Sequence, residues 1–207
     1  ETRKKAADME PTKSLNSNKS NNLPVSSLPT RLPTEPVINF ILSLEKRSNQ
    51  SIFVTLYGFD ADTPTKIVKL GVTTTNDFGE GRVILPTSYI GKKLLLFAET
   101  PSHLRKEIKT HYLLEIKEGN NPVDGSVDFG EFIAGDVYLD ATGYKNNLID
   151  SLDAATITIA IKDAQNEDKT RNMDWADLNG DGLIDSVDLT ILSSNLGKKG
   201  DYFPLAK

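Results

Sequence analysis

From residue 37 the chain alternates apolar side chains with positions open to polar ones. Ile38, Phe40, Leu42 and Leu44 occupy every second position, which places them on one face of an extended strand. Six further segments rich in β-branched, aromatic and leucine side chains follow, separated by turn sequences: Ser51–Gly58, Lys66–Val72, Gly81–Leu85, Lys93–Ala98, His111–Lys117 and Ser126–Phe132. About seven short strands without helical periodicity predict an antiparallel, immunoglobulin-like β-sandwich over residues 36–134.

The pattern changes in the last third of the chain, where a segment repeats. Residues 148–153 read Leu-Ile-Asp-Ser-Leu-Asp, and residues 183–188 read Leu-Ile-Asp-Ser-Val-Asp. Apolar residues at helical spacing follow each copy: Ala154, Ile157 and Ile161 after the first, and Leu189, Leu192 and Leu196 after the second. The β-branched residues 156–159 by themselves favour a strand. The repeat nevertheless predicts two helices that pack on each other, in a small module over residues 135–203.

The loop before the second helix has the spacing of a calcium-binding loop. Calcium takes six to eight oxygen ligands, supplied by side chains at loop positions 1, 3, 5, 9 and 12 and by the carbonyl at position 7. Glycine at position 6 permits the sharp turn, and Gly182 stands there. The predicted ligands are Asp177, Asn179, Asp181, the Leu183 carbonyl, Asp185 and Asp188.

The loop before the first helix is less regular. Counting back from its last aspartate gives plausible ligands at positions 12, 9, 7 and 5, but none at the earlier positions unless residues are inserted near 141–145. Such an insertion brings two earlier aspartates into range, and loop length itself costs little free energy. We expect a second, weaker calcium site with the candidate ligands Asp136, Asp140, Asn146, the Leu148 carbonyl, Asp150 and Asp153.

Composition excludes several other functions. The 207 residues carry a net charge of −5, which argues against a nucleic-acid partner. Cysteine is absent, which excludes disulfides and thiolate zinc sites. No apolar run is long enough to span a membrane.

The amino-terminal segment has a different composition from the rest. Residues 1–35 are rich in Lys, Ser, Asn and Pro, which indicates a flexible tether, or equally a frayed terminus without a role. The chain begins at Glu1 without an apolar signal core. We therefore expect a mature or truncated product whose export signal or anchor is missing.

No catalytic constellation is visible, so we expect no enzyme. The two histidines, His103 and His111, lie in no metal or nucleophile motif, and we expect surface or turn positions for both. A sugar-stacking platform is conceivable, although aromatic side chains in small sandwiches more often pack internally. Its candidates are Tyr57, Phe59, Tyr89, Phe97 and Tyr112, and a polysaccharide ligand has no further support.

Two loop-helix units, each with Asp at loop position 12 and no entering helix, resemble a type I dockerin, a paired half EF-hand module. The second loop matches the family's Asp-x-Asn-x-Asp-Gly-x-Ile-Asp-Ser-x-Asp pattern throughout. The first loop departs from it through the insertion and through Tyr138 at the usual Asn position. The junction at residues 127–136 also resembles bacterial surface proteins in which a sandwich runs straight into a dockerin.

The resemblance implies a calcium-binding module that docks onto a cohesin domain, outside the cell or at its surface. The near two-fold repeat implies two possible docking orientations. The partner-binding residues carried over from the family are Ser151, Leu152, Thr158 and Ile159 on the first helix and Ser186, Val187, Ser193 and Ser194 on the second. Two alternatives stay open. Leu152 and Val187 pack against the sandwich in a purely structural module, or calcium merely stabilises a carbohydrate-binding one.

Overall fold

The computed structural model describes residues 32, 34–63, 66–137, 139, 145–165 and 174–203. The predicted tether lies almost wholly outside these residues. The described residues from 34 onward belong to one compact unit, Pro33–Lys207. Their regular elements are β1 (Val37–Leu44), β2 (Phe53–Asp60), β3 (Ile67–Thr74), β4 (Glu80–Ile84), β5 (Lys93–Glu99), β6 (Lys106–Glu107), β7 (Leu114–Glu115), β8 (Asn120–Asn121), β9 (Val127–Phe132), α1 (Ser151–Gln165) and α2 (Ser186–Ser194).

The strands form the two sheets of a β-sandwich, as predicted. One sheet has the order β4-β1-β8, with β9 also paired to β1, and the other has the order β3-β2-β5-β6, with β7 paired to β5. Most pairs are antiparallel, but β1 pairs in parallel with β8 and with β9. The alternation of apolar and polar residues along a strand shows which face is buried, but it does not show whether the neighbouring strand is parallel or antiparallel. The parallel pairs could therefore not be predicted from this pattern.

The predicted buried face of β1 is confirmed. Ile38, Phe40, Leu42 and Leu44 are all buried in the sandwich core, where the Phe40 ring packs edge-on against Phe129 with centroids 5.9 Å apart. Perpendicular aromatic pairs of this kind are favourable beyond their buried area. The period of two therefore located the core of this module correctly.

Strand lengths were predicted less well around residues 106–121. Only Leu114–Glu115 is a strand within the predicted segment 111–117, and His111 has a φ of +50°, outside the extended region. The segment Asn120–Asn121, which lies between two predicted strands, pairs with β1. These short pairings depend on neighbours that are distant in sequence, so local pattern does not reveal them.

Both predicted helices form and contact each other. The β-branched run in α1 is helical because Ile157 is buried in the core between the helices, and this packing outweighs local strand propensity. One predicted core position is wrong. Leu196 lies beyond the end of α2 and is 51% exposed, while Ile191 is buried instead.

A second core lies where the helical module meets the sandwich. Leu104 and Ala134 of the sandwich are buried in the same cluster as Ile149 and Leu192 of the helical module. A β-bridge between His103 and Ala134 holds this junction together. Among the described residues, no helix has the length and apolar character needed to cross a membrane.

Candidate functional site

The second loop folds around the carboxylate of Asp177. Its Oδ1 accepts hydrogen bonds from the backbone N–H groups of Gly180 and Asp181, at 2.7 and 3.2 Å, and its Oδ2 accepts one from Gly182 at 3.0 Å. Gly180 and Gly182 have φ values of +72° and +88°, which favour glycine. The backbone of the loop therefore turns sharply around the Asp177 side chain.

The loop ends in the capped first turn of α2. The Asp185 side chain accepts a hydrogen bond from Val187 N at 2.7 Å, and Asp188 accepts one from Asp185 N at 2.9 Å, which together form a capping box. Asp188 also accepts a hydrogen bond from Leu178 N at 2.7 Å, across the loop. Burial raises the pKa of the Asp188 carboxyl, and its backbone hydrogen bonds oppose that shift.

The second loop offers the oxygen chemistry that calcium requires. The predicted ligands all lie within the single loop 177–188, and Asp181 and Leu183 are exposed to solvent. Within the described part of the chain, no three acidic side chains stand close enough together to hold a metal as they are oriented. The loop carboxylates accept hydrogen bonds from backbone N–H groups, and they belong to an all-oxygen donor set of the kind that calcium prefers.

The first loop has the same ending as the second. Asp153 accepts hydrogen bonds from Val137 N and Asp150 N, both at 2.8 Å, as Asp188 does from its own loop. The predicted ligand Asn146 accepts one from Leu148 N at 2.9 Å. The candidate ligand Asp140 lies outside the described residues.

Asp136, the earliest predicted ligand of the first loop, is buried beside a lysine. The Lys145 Nζ lies 3.3 Å from Asp136 Oδ2. Burial raises the pKa of the Asp136 carboxyl to about 6 and lowers the pKa of the Lys145 ammonium. The sequence places Lys145 within the insertion but indicates no role for it, because a lone lysine in a loop is usually solvated.

The predicted partner-binding residues lie at the surface. Leu152 and Val187 are 48% and 47% exposed, so the alternative that both pack against the sandwich is wrong. Ser151, Ile159, Ser186, Ser193 and Ser194 are also exposed, and Thr158 is half-buried. The two helices therefore bury one side in their shared core and leave most of these side chains exposed on the other side.

The sequence did not reveal the polar side chains that join the two modules. Asn147 is buried, with a φ of +58°, and its amide accepts a hydrogen bond from Arg105 N at 2.7 Å and donates one to Asp201 O at 2.8 Å. The Arg47 guanidinium lies directly against Gly180 of the second loop. A positive φ at Asn147 was foreseeable from its position in the turn, but its partners lie far away in sequence.

His103 differs from expectation, whereas His111 and two of the aromatic candidates do not. His103 is buried, so the predicted surface position is wrong, and burial lowers its pKa to about 3, assisted by the charges of Lys145 and Arg47. His111 is exposed as predicted. Phe97 is buried, and Tyr57 packs edge-on against Phe203 with centroids 5.3 Å apart. These two rings pack internally, which is the interpretation the sequence favoured.

Comparison with known proteins gives one family match. Residues 144–197 match the model of the dockerin type I domain, which confirms the resemblance over that segment. No curated protein matches.

Two solved structures show distant likeness. The first is a type II cohesin–X–dockerin complex from Acetivibrio cellulolyticus, carrying an N-terminal interface mutation, at 14% identity and a TM-score of 0.49, covering 79% of this chain and 96% of that one. The second is a 9R-lipoxygenase from Cyanothece PCC8801, at 14% identity and a TM-score of 0.30, covering 62% of this chain and 22% of that one.

Proposed function

We propose that this protein is a non-catalytic docking module that uses its dockerin type I segment, residues 144–197, to bind a cohesin-type domain outside the cell or at its surface. The observation that carries the proposal is the exposure of Leu152 and Val187. Each stands in the first turn of a helix at equivalent places in the repeat. Apolar side chains left open at repeated positions are what a protein partner buries.

We further propose that the second loop binds calcium and that binding is linked to folding. Its ligands are Asp177, Asn179, Asp181, the Leu183 carbonyl, Asp185 and Asp188. A bound calcium ion supplies positive charge that offsets the repulsion among the four carboxylates. Asp185 and Asp188 also cap α2, so ordering of the loop fixes the first turn that presents Val187. For the first loop, with Asp136, Asp140, Asn146, Leu148, Asp150 and Asp153, the sequence predicts a second site, but Lys145 lies beside its first carboxylate.

The repeat supports docking in two orientations. Leu152 N donates to Asp150 Oδ1 at 2.7 Å, just as Val187 N donates to Asp185 Oδ1 at 2.7 Å. The two helix starts therefore have the same local geometry and present similar side chains. A partner that binds the first turn of one helix would find a similar surface at the first turn of the other helix, if it docked in the opposite orientation.

The test is capture of the protein on immobilised type I and type II cohesin domains, in calcium and in chelator. We expect capture in calcium and its loss in chelator. Leu152→Asp and Val187→Asp should each retain capture through the other helix, whereas the double variant should lose it. Leu113→Asp is the matched control, because Leu113 is 44% exposed on the sandwich and should leave capture unchanged.

Capture by none of the cohesins would contradict the proposed partner. Capture that survives the double variant would show that binding uses another surface. Equal loss with Leu113→Asp would point to the sandwich as the binding module.

A further inference from the structure

The two loops share a hydrogen-bond framework that aligns them residue by residue. Val137 N donates to Asp153 Oδ1 at 2.8 Å, and Leu178 N donates to Asp188 Oδ1 at 2.7 Å. These equivalent contacts place Val137 and Leu178 at loop position 2. Asp136 is therefore the structural counterpart of Asp177, at position 1.

The later half of each loop is also equivalent. Leu148 N donates to Asn146 Oδ1 at 2.9 Å, and Leu183 N donates to Asp181 Oδ1 at 2.8 Å, which aligns Asn146 with Asp181 at position 5. The inserted residues of the first loop thus lie between positions 1 and 5. Lys145 is the last residue of this stretch and immediately precedes Asn146.

The loops differ in what surrounds the first carboxylate. Asp177 accepts three backbone hydrogen bonds from its own loop. The buried oxygens of Asp136 accept no hydrogen bond from the described residues, and Lys145 Nζ is the cation that lies beside them, 3.3 Å from Oδ2. A buried carboxylate without a cation carries a large desolvation penalty.

The Lys145 ammonium lies in a cage made of oxygen atoms. Its Nζ donates to Thr100 O at 2.7 Å, to His103 O at 2.5 Å and to Asp136 O at 3.3 Å, and its side chain is only 5% exposed. Three donors are the full capacity of an ammonium group, so the lysine is fully satisfied there. Several carbonyls and one carboxylate are also the surroundings that a hard cation receives from a protein.

We propose that the Lys145 ammonium replaces calcium in the first loop, so that the chain holds one calcium ion, in its second loop. A calcium ion at Asp136 would have to share that carboxylate with an ammonium group, against like-charge repulsion, or displace a buried lysine from three carbonyls. Asn146 also lowers the charge of the loop, because the second loop has Asp181 at the same position. The described residues of the first loop accordingly do not fit a metal ion, and this inference rests on the calcium site proposed for the second loop.

The internal cation also fastens the helical module to the sandwich. Thr100 and His103 lie between β5 and β6 of the sandwich, whereas Asp136 and Lys145 belong to the first loop. One side chain thus joins both modules through hydrogen bonds that no chelator removes. The first loop should stay in place under conditions that loosen the second.

The first test is calcium stoichiometry on the whole chain, by isothermal titration and by metal analysis after dialysis. We expect one equivalent in the parent, one in Asp136→Asn and none in the double variant Asp177→Ala/Asp181→Ala, which removes two oxygen ligands of the second loop. Two equivalents in the parent, falling to one in Asp136→Asn, would overturn the inference while leaving the proposed function intact. No calcium in the parent would overturn the proposed site of the second loop, and the one-calcium inference with it.

The second test distinguishes stabilisation by the Lys145 ammonium group from stabilisation by calcium. Lys145→Met should lower the melting temperature by the same amount in calcium and in chelator, because the ammonium acts without metal. Lys162→Met, at an exposed lysine of α1, should change neither value. A loss confined to calcium would overturn the inference. If Lys145→Met does not fold, the stoichiometry of the parent and of Asp136→Asn still decides.

Discussion

The side-chain amide of Asn195 donates a 2.6 Å hydrogen bond to the carboxylate of Glu45, although 150 residues separate them in the chain. The same amide donates to Ala134 O at 2.9 Å, and the same carboxylate accepts from Ala134 N at 3.2 Å. Asn195 is buried at the end of α2, and Glu45 follows β1. The three residues therefore join the sandwich, the junction and the second helix.

Removal of the Glu45 carboxylate should destabilise this junction. Glu45→Ala leaves one N–H of the buried Asn195 amide and the backbone N–H of Ala134 without their acceptor, and such a loss costs about 1–3 kcal/mol of unfolding free energy. Urea unfolding of the variant and the parent measures the difference. Glu118→Ala, at an exposed position of the sandwich, is the control and should remain near the parent value. Equal unfolding free energies for all three proteins would show that the contact contributes nothing.

Alanine substitutions at Gly180 and Gly182 of the second loop distinguish two costs, which are backbone strain and a steric clash with the sandwich. Both have positive φ, so alanine at either position should cost about 1–2 kcal/mol. A Cβ at Gly180 would also lie 2.7 Å from Arg47 Nε, whereas one at Gly182 would meet no described atom within 4 Å. Gly180→Ala should therefore be the more destabilising change, as measured by thermal unfolding. Adding Arg47→Ala should narrow the gap between the two variants, and an unchanged gap would exclude the clash as its cause.

His103 should make stability depend on pH. Its folded pKa of about 3 lies below the value of about 6.5 expected in the unfolded chain, so below pH 6.5 the unfolded state binds the proton preferentially. Stability is therefore fully present above pH 6.5 and falls as the pH is lowered toward 3. The contribution amounts to about 2 kcal/mol between pH 7 and pH 5.

The comparison of two histidine variants isolates that contribution. His103→Asn should flatten the change in unfolding free energy between pH 7 and pH 5, measured by chemical denaturation. His111→Asn, at the exposed histidine, should keep the slope of the parent. Identical slopes in parent and His103→Asn would show that other groups cause the pH dependence.

Phe203 holds the carboxyl-terminal segment on the sandwich. Its ring packs edge-on against Phe97 with centroids 5.2 Å apart, and the Arg105 guanidinium carbon lies 3.9 Å from its centroid. Phe203→Ala should lower the unfolding free energy by about 2 kcal/mol, because aromatic pairs and a cation–π contact are lost together. Phe78→Ala removes a ring that is 77% exposed and should have little effect. Matching losses from both changes would contradict a specific role for the Phe203 contacts.

Calcium should stabilise the protein through the second loop. Asp181→Asn should lower the melting temperature in calcium and change it little in chelator, because the lost carboxylate contributes mainly through the metal. Asp62→Asn, at an exposed turn of the sandwich, should shift neither value. Melting curves of the parent that coincide in calcium and in chelator would contradict the calcium site.

Local patterns in the sequence were enough to predict several elements of the fold. The period of two placed Ile38 and Phe40 in the core, and the repeat predicted both helices despite the β-branched run in α1. The spacing of Asp177 to Asp188 likewise located the loop that leads into α2. Each of these signals depends on side chains a few positions apart, which the backbone geometry of a strand, helix or turn brings into a fixed relation.

Contacts between residues far apart in the sequence became visible only in the three-dimensional structure. Lys145 reaches the carbonyl of Thr100, and His103 is buried at the junction, because the sandwich and the helical module share a core. Residues with such partners have no periodic pattern of their own, since their environment is set by the packing of segments far apart in sequence. A loop that resembles a calcium site in sequence therefore encloses a lysine ammonium group in the fold.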